Sequence, residues 1–261
     1  MPLLYAESFA PWCEKARWAL DHHGITYRYR EHVPLIGELA LKVAARRPFG
    51  RVTVPLLVDG GRVLMDSVAI ARYAEERGAG TPLFPPSCED EIAAWSARSE
   101  VMMTAGRAML LPRMSRMRDA LREQQPPSVP EALRGALTPI AANGVAHLMR
   151  KYGVRPGDDA SHEAASREVL DALRAVLSDG RAQLLGDGLS FADVAVATSL
   201  QFVLPVAERF ISLGPATRDA WTHRGLAADY PDLLAWRDRL YDAHRHPRGS
   251  ARWLRRRPMQ A

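Results

Sequence analysis

Leu3-Leu4-Tyr5 opens the chain as a short continuous apolar run, the pattern of a buried strand. Beyond it Ala16, Ala19 and Leu20 recur on one face of a helix that begins at Ala10 or Pro11, with Gly24 in the position of a C-terminal stop. Ile25, Tyr27 and Tyr29 then alternate with Thr26, Arg28 and Arg30, the period of a half-buried strand. Leu35 to Ala45 returns to helical spacing and ends before Pro48. Val54 to Val58, the turn Asp59-Gly60-Gly61 and Arg62 to Met65 read as a hairpin. Asp66-Ser67 then caps a helix to about Arg77, with Ile70, Ala71 and Ala74 inward and Gly78 as terminator. Strand, helix, strand, helix, two strands and a helix thus fill residues 1–78.

Pro55 conflicts with a regular strand because proline has no N–H for the ladder. A cis Val54-Pro55 bond resolves the conflict and leaves the Val54 backbone groups unpaired at the sheet edge, open to an extended peptide ligand. Residues 79–88 are a Gly/Pro-rich linker whose Leu83 and Phe84 should pack. After it strand alternation stops. Glu89 to about Glu123 reads as a long helix bent at Pro112. Pro126-Pro127 and Pro130 separate it from a segment to Tyr152 that Pro139 and Gly144 should interrupt, and Ser161 to Ser178 is helical. Ser190 with Asp193 forms a capping box, and Leu189 with Val194 has staple spacing. The helix they start, Phe191 to about Leu204, is apolar nearly all round and should be central to the helical region. Two more helices are expected, the last from Pro231 to about Ala243.

Composition changes this picture little. The 261 residues are 47% hydrophobic and 25% charged, an ordinary globular balance. Without an apolar run of membrane length or a leader-like start, the chain is expected to be cytoplasmic and free of the membrane. Charge adds one feature. The net +5 arises after Asp242, where six arginines (Arg245, Arg248, Arg252, Arg255, Arg256, Arg257) meet no acidic residue. This basic tail, residues 247–261, is expected to be a solvated terminus tacked down by Trp253 and Leu254; without an aromatic platform or a recognition helix it points to no nucleic acid.

The turn from the first strand into the first helix, Ser8 to Leu20, is where chemistry is expected. A helix N-terminus there presents unpaired N–H groups and the positive end of its dipole. Cys13 and Cys88 are the only cysteines and lack metal-ligand spacing; Cys13, a turn inside the helix, reads as a packing residue rather than a redox group. His22-His23 and His244/His246 lack a second ligand set, so they read as surface histidines and no metal site is expected.

Taken in order, these stretches resemble the cytosolic glutathione transferases. Ala10-Pro11-Trp12-Cys13-Glu14-Lys15-Ala16-Arg17 is similar to that family's first-helix motif, Val54-Pro55 to its cis-proline site and Asp66-Ser67 to its acidic-Ser pair. Ser190 to Asp193 is similar to its core-helix capping box, and Tyr230-Pro231-Asp232-Leu233-Leu234-Ala235-Trp236 to its C-terminal helix. The resemblance implies an α/β plus all-α fold: a thioredoxin-like N-terminal domain (βαβαββα) over 1–78, then an all-helical C-terminal domain over 89–246. It implies glutathione as co-substrate, bound by Val54, Pro55, Asp66, Ser67, Ala10 and Trp12, with Arg51 or Lys42 for the glycine carboxylate. It also implies a homodimer acting in detoxification by conjugating or isomerising a small apolar electrophile, or a dedicated biosynthetic or catabolic enzyme. The electrophile is expected between the domains, against Met102, Met103, Arg107 and Met109, whose helical spacing equally fits the core or a dimer interface.

At one position the resemblance fails. The transferases most similar to this chain commonly carry Ser or Cys where Ala10 stands. Ser8, Tyr5 or the helix terminus alone is then left to lower the thiol pKa. The alternative is a transferase-like ligand carrier or scaffold that has lost thiol activation.

Overall fold

The computed structural model describes residues 1–125 and 129–247. Its first part is a four-stranded sheet of order β2-β1-β3-β4, made of β1 Leu3–Ala6, β2 Arg28–Glu31, β3 Leu56–Asp59 and β4 Arg62–Leu64. β1 and β2 are parallel; β1 with β3 and β3 with β4 are antiparallel. Helices α1 Pro11–His22 and α3 Ser67–Arg77 pack on one face, and α2 Glu38–Ala44 on the other. Alternation along β1 decides which side chain goes where. Leu4 and Ala6 join the core shared with α1 and α3, while Tyr5 joins Leu41, Ala45, Val52 and Leu56 on the α2 face. The Val54-Pro55 bond is cis, as expected.

The remainder is helical: α4 Glu89–Arg116, α5 Arg118–Glu123, α6 Glu131–Tyr152, α7 Asp159–Leu177, α8 Phe191–Ser199, α9 Pro215–Trp221, α10 Arg224–Asp229 and α11 Pro231–His244. α8 is buried along its whole length. Its capping box is present: the Asp193 carboxylate accepts the Ser190 N–H at 2.9 Å and also the Leu184 N–H at 2.7 Å. Leu83 and Phe84 are buried, and Phe84 stacks on Phe191, so the linker packs.

Several expectations need correction. The helix expected from Glu89 to about Glu123 is two helices: α4 carries Pro112 in its interior and ends at Met117, whose ψ of 98° is not helical, and α5 follows. Proline removes one donor, and the packing of α4 against α7 and α8 outweighs that loss. α6 likewise runs unbroken past Pro139 and Gly144. α8 tightens into a 3-10 turn over Leu200–Phe202 instead of reaching Leu204, and three helices follow it rather than two. His23 is buried, not at the surface.

Arg245 is not part of a solvated tail. Its guanidinium is buried, donating to Glu14 Oε1 at 2.6 Å and Asp21 Oδ2 at 2.5 Å, and Arg17 pairs with the same Glu14. The last described turn is thereby tied to α1. The other five arginines, with Trp253 and Leu254, and the Pro126-Pro127 break, lie outside the described residues.

Candidate functional site

Strand register brings three chain segments to one edge of the sheet. Tyr5, near the end of β1, pairs with Leu56 at the start of β3, and Leu57 pairs with Leu64 at the end of β4. The β1–α1 turn, Val54 and the N-terminus of α3 therefore share that edge. At α3 the exposed Asp66 carboxylate accepts the Ala69 N–H at 2.9 Å as an N-cap, and Ser67 is buried in the first turn. At α1 the N-cap is Ala10, in extended conformation and without a side-chain hydrogen bond, so the helix terminus is uncapped.

The β1–α1 turn is held from several sides. The Ser8 N–H donates to Glu31 Oε1 at 2.8 Å, and the Ser8 carbonyl accepts from Arg17 at 2.8 Å. The Tyr29 hydroxyl donates to Glu31 Oε2 at 2.6 Å. The Glu7 N–H donates to the Cys13 sulfur at 3.3 Å. Burial pushes the Cys13 thiol up and keeps it protonated, which suits packing and opposes redox chemistry. Glu7 itself is half-buried. Burial, then Glu31 and Glu38, lifts its carboxyl to about 7 against the opposing charges of Lys151 and Arg107.

Helices α4, α6 and α9 close the edge from the other side. Glu100 of α4 accepts the Trp12 indole N–H at 2.7 Å and the buried Lys15 ammonium at 2.6 Å. The Arg107 guanidinium lies 3.7 Å from the centre of the Tyr152 ring and 4.6 Å from that of Trp12. Trp12 meets Phe202 edge-on at 5.9 Å, Phe202 stacks on Trp221 at 4.8 Å, and Trp221 meets Phe9 edge-on at 6.1 Å. Phe9 and Trp12 are half-exposed at the front of this aromatic strip. Gly106 allows it: a Cβ there would stand 2.4 Å from Phe202. Beside the strip, Lys42, Arg51, His147, Arg150 and Lys151 line a cleft of about 380 Å³ between α2 and α6.

Family models describing the glutathione S-transferase N-terminal and C-terminal domains match residues 9–77 and 116–239, together most of the chain. The chain belongs to the glutathione S-transferase family. Among solved structures it is similar to a glutathione S-transferase of Methylobacillus flagellatus with glutathione bound, at 16% identity and TM-score 0.60, over 99% of this chain and 100% of that one. A transferase of Methylobacterium radiotolerans in complex with glutathione sulfonate gives 17% identity and TM-score 0.58, over 100% and 96%. One from Actinobacillus pleuropneumoniae gives 18% and 0.56, over 98% and 91%. At these identities the likeness shows the fold. No curated protein sequence matches the chain.

Within this transferase fold the residues singled out from the sequence divide. Ala10, Trp12, Val54, Pro55, Asp66 and Ser67 fall on the shared edge, and Lys42 and Arg51 fall together on the adjacent cleft. Ser8 stays in the turn. Tyr5 does not: strand alternation buries it on the α2 face, away from α1, which removes it as a thiol partner. Met102, Met103 and Met109 are core side chains, Met102 accepting the Ser199 hydroxyl, whereas Arg107 stands against the Trp12 and Tyr152 rings. Glu7, Glu31 and Tyr152 carry no motif and were not singled out; only the fold brings them to the turn. Among the described residues no group of three or more His, Cys, Asp or Glu stands where it could hold a metal ion, and no helix is long and apolar enough to cross a membrane.

Proposed function

We propose that the chain is a glutathione-dependent transferase that binds glutathione as co-substrate along the shared sheet edge and joins its sulfur to a small electrophile with an apolar body. The observation that carries this reading is the convergence of the uncapped α1 terminus, Val54 and the α3 terminus, in a chain of this family. In it, Val54 pairs with the extended cysteinyl backbone. Ser67 and the first-turn N–H groups of α3 take the γ-glutamyl carboxylate, while Asp66 accepts from the amine. Lys42 or Arg51 receives the glycine carboxylate. The sulfur rests at the α1 terminus, where the helix dipole and the Ser8 hydroxyl favour thiolate. The Methylobacillus protein of the same fold has glutathione bound, which supports glutathione as the ligand. The reading carries with it a cytoplasmic homodimer, in detoxification or a dedicated biosynthetic or catabolic step, and gel filtration checks the dimer.

Retention on immobilised glutathione, together with turnover of a chloro-aromatic or an epoxide, is the test; loss of both would refute the reading. One observation favours a second reading, a carrier or scaffold without catalysis: Ala10 offers no hydroxyl at the α1 terminus. Ala10→Ser separates the two. A large gain from a near-zero baseline marks a lapsed enzyme, and loss of activity on Ser8→Ala in an already active parent marks a working one.

A further inference from the structure

Arg107 is a cation whose hydrogen-bonding capacity is unspent. Of the carboxylates around it, Glu100 is engaged by Lys15 and Trp12, and Glu7 acts on it by charge without a hydrogen bond. Among the described residues Arg107 makes no hydrogen bond or ion pair, and its Nε is buried without a partner. What holds it is aromatic: the Tyr152 ring on one contact and the Trp12 ring on another. A guanidinium fixed by ring faces keeps its in-plane N–H fork free, which is the geometry that grips a carboxylate through two parallel bonds. A second unspent donor belongs to the same strip, since the indole N–H of buried Trp221 has no partner.

We infer that Arg107 is the anchor for a carboxylate on the second substrate, so that the preferred electrophile is an aryl or conjugated carboxylic acid whose apolar body lies on Phe9 and Trp12. This rests on the transferase reading and narrows it from apolar electrophiles in general to anionic ones. The two carboxylates of glutathione have other receivers in that reading, Ser67 for one and Lys42 or Arg51 for the other, which leaves Arg107 to the partner molecule. With a chloronitrobenzoate the thiolate sulfur adds to the ring carbon bearing chlorine. A C–S bond forms, the C–Cl bond breaks with its electron pair leaving as chloride, and the thiol proton passes to solvent, with no change of overall oxidation state.

The test compares 4-chloro-3-nitrobenzoate with its uncharged methyl ester, each with glutathione, in the parent, Arg107→Leu and Arg107→Lys. In Arg107→Leu, kcat/KM for the acid should fall about 30-fold or more, while the ester and the KM for glutathione move less than about threefold. Arg107→Lys should recover part of the loss for the acid alone, a point charge replacing the fork. Equal losses for acid and ester would overturn the inference, as would a rise in the glutathione KM with the acid-to-ester ratio unchanged, which would assign Arg107 to a glutathione carboxylate. If the parent turns over neither compound, the transferase reading fails on its own account. The anchor is then read directly from quenching of tryptophan fluorescence by 4-chloro-3-nitrobenzoate: a dissociation constant about tenfold weaker in Arg107→Leu supports it, and an unchanged one overturns it.

Discussion

Replacing Glu7 by Gln should change how the stability of the fold depends on pH. Gln keeps the shape of the side chain and removes its titration. The Glu7 carboxyl is half-buried in the β1–α1 turn, with Glu31 of β2 and Glu38 of α2 adding negative charge, and Lys151 of α6 and Arg107 of α4 opposing them. Tyr152 and Cys13 face the same group as neutral side chains. Its folded value, about 7, stands above the ordinary 4.5, so the folded state holds this proton more tightly than the unfolded one. Below 4.5 both states are protonated and Glu7 costs nothing. As pH rises toward 7 the unfolded chain has lost the proton and the folded one has not, so stability falls; above 7 the loss is complete and constant. The full displacement corresponds to about 3 kcal/mol, and the water still reaching a half-buried group reduces this to the order of 1–2 kcal/mol. Urea unfolding of parent and Glu7→Gln at about pH 5 and about pH 8 reads the difference, with the variant gaining on the parent only at the higher pH. Parallel pH profiles would show that the carboxyl is well solvated and the reasoning mistaken.

Other parts of the molecule give equally direct expectations. Arg245→Leu leaves Glu14 and Asp21 buried with fewer partners and should cost about 3–5 kcal/mol in urea unfolding; a loss below about 1 kcal/mol would mean the pair is water-exposed. Gly106→Ala forces a methyl against Phe202 and should cost about 1–3 kcal/mol while disturbing the strip beside Arg107; a neutral melting shift would contradict the close approach. A maleimide should label half-exposed Cys88 well before buried Cys13, and equal rates by mass spectrometry would place Cys13 in reach of solvent.

Particular residues mark how far the sequence could be read. The period switches and the capping signals, Asp66 before Ser67 and Ser190 before Asp193, act through neighbouring backbone and were legible without a structure. So was the cis Val54-Pro55 bond. What failed depends on long-range packing. Nothing local shows that the charged residues Glu14, Lys15, Arg17 and Asp21 are buried; they are, because α1 is covered by other elements and Arg245, more than two hundred positions away, and Glu100 neutralise them. Met102 and Met103 have a spacing that fits a pocket wall or a core equally well, and the crossing of α4 with α8 decides for the core. Tyr5 turns on strand parity, since one position along β1 exchanges the α1 face for the α2 face. Glu7 gave no local signal, because its unusual proton affinity comes from groups on β2, α2, α4 and α6.

The central claim is that glutathione occupies the edge where the α1 terminus, Val54 and Ser67 meet. Calorimetric titration of the parent and of Ser67→Ala with glutathione measures it most directly. The parent should bind, and loss of the hydroxyl at the α3 terminus should weaken binding about tenfold with the fold intact by circular dichroism. A parent that takes up no glutathione, or a Ser67→Ala variant that binds as tightly as the parent, would contradict the account.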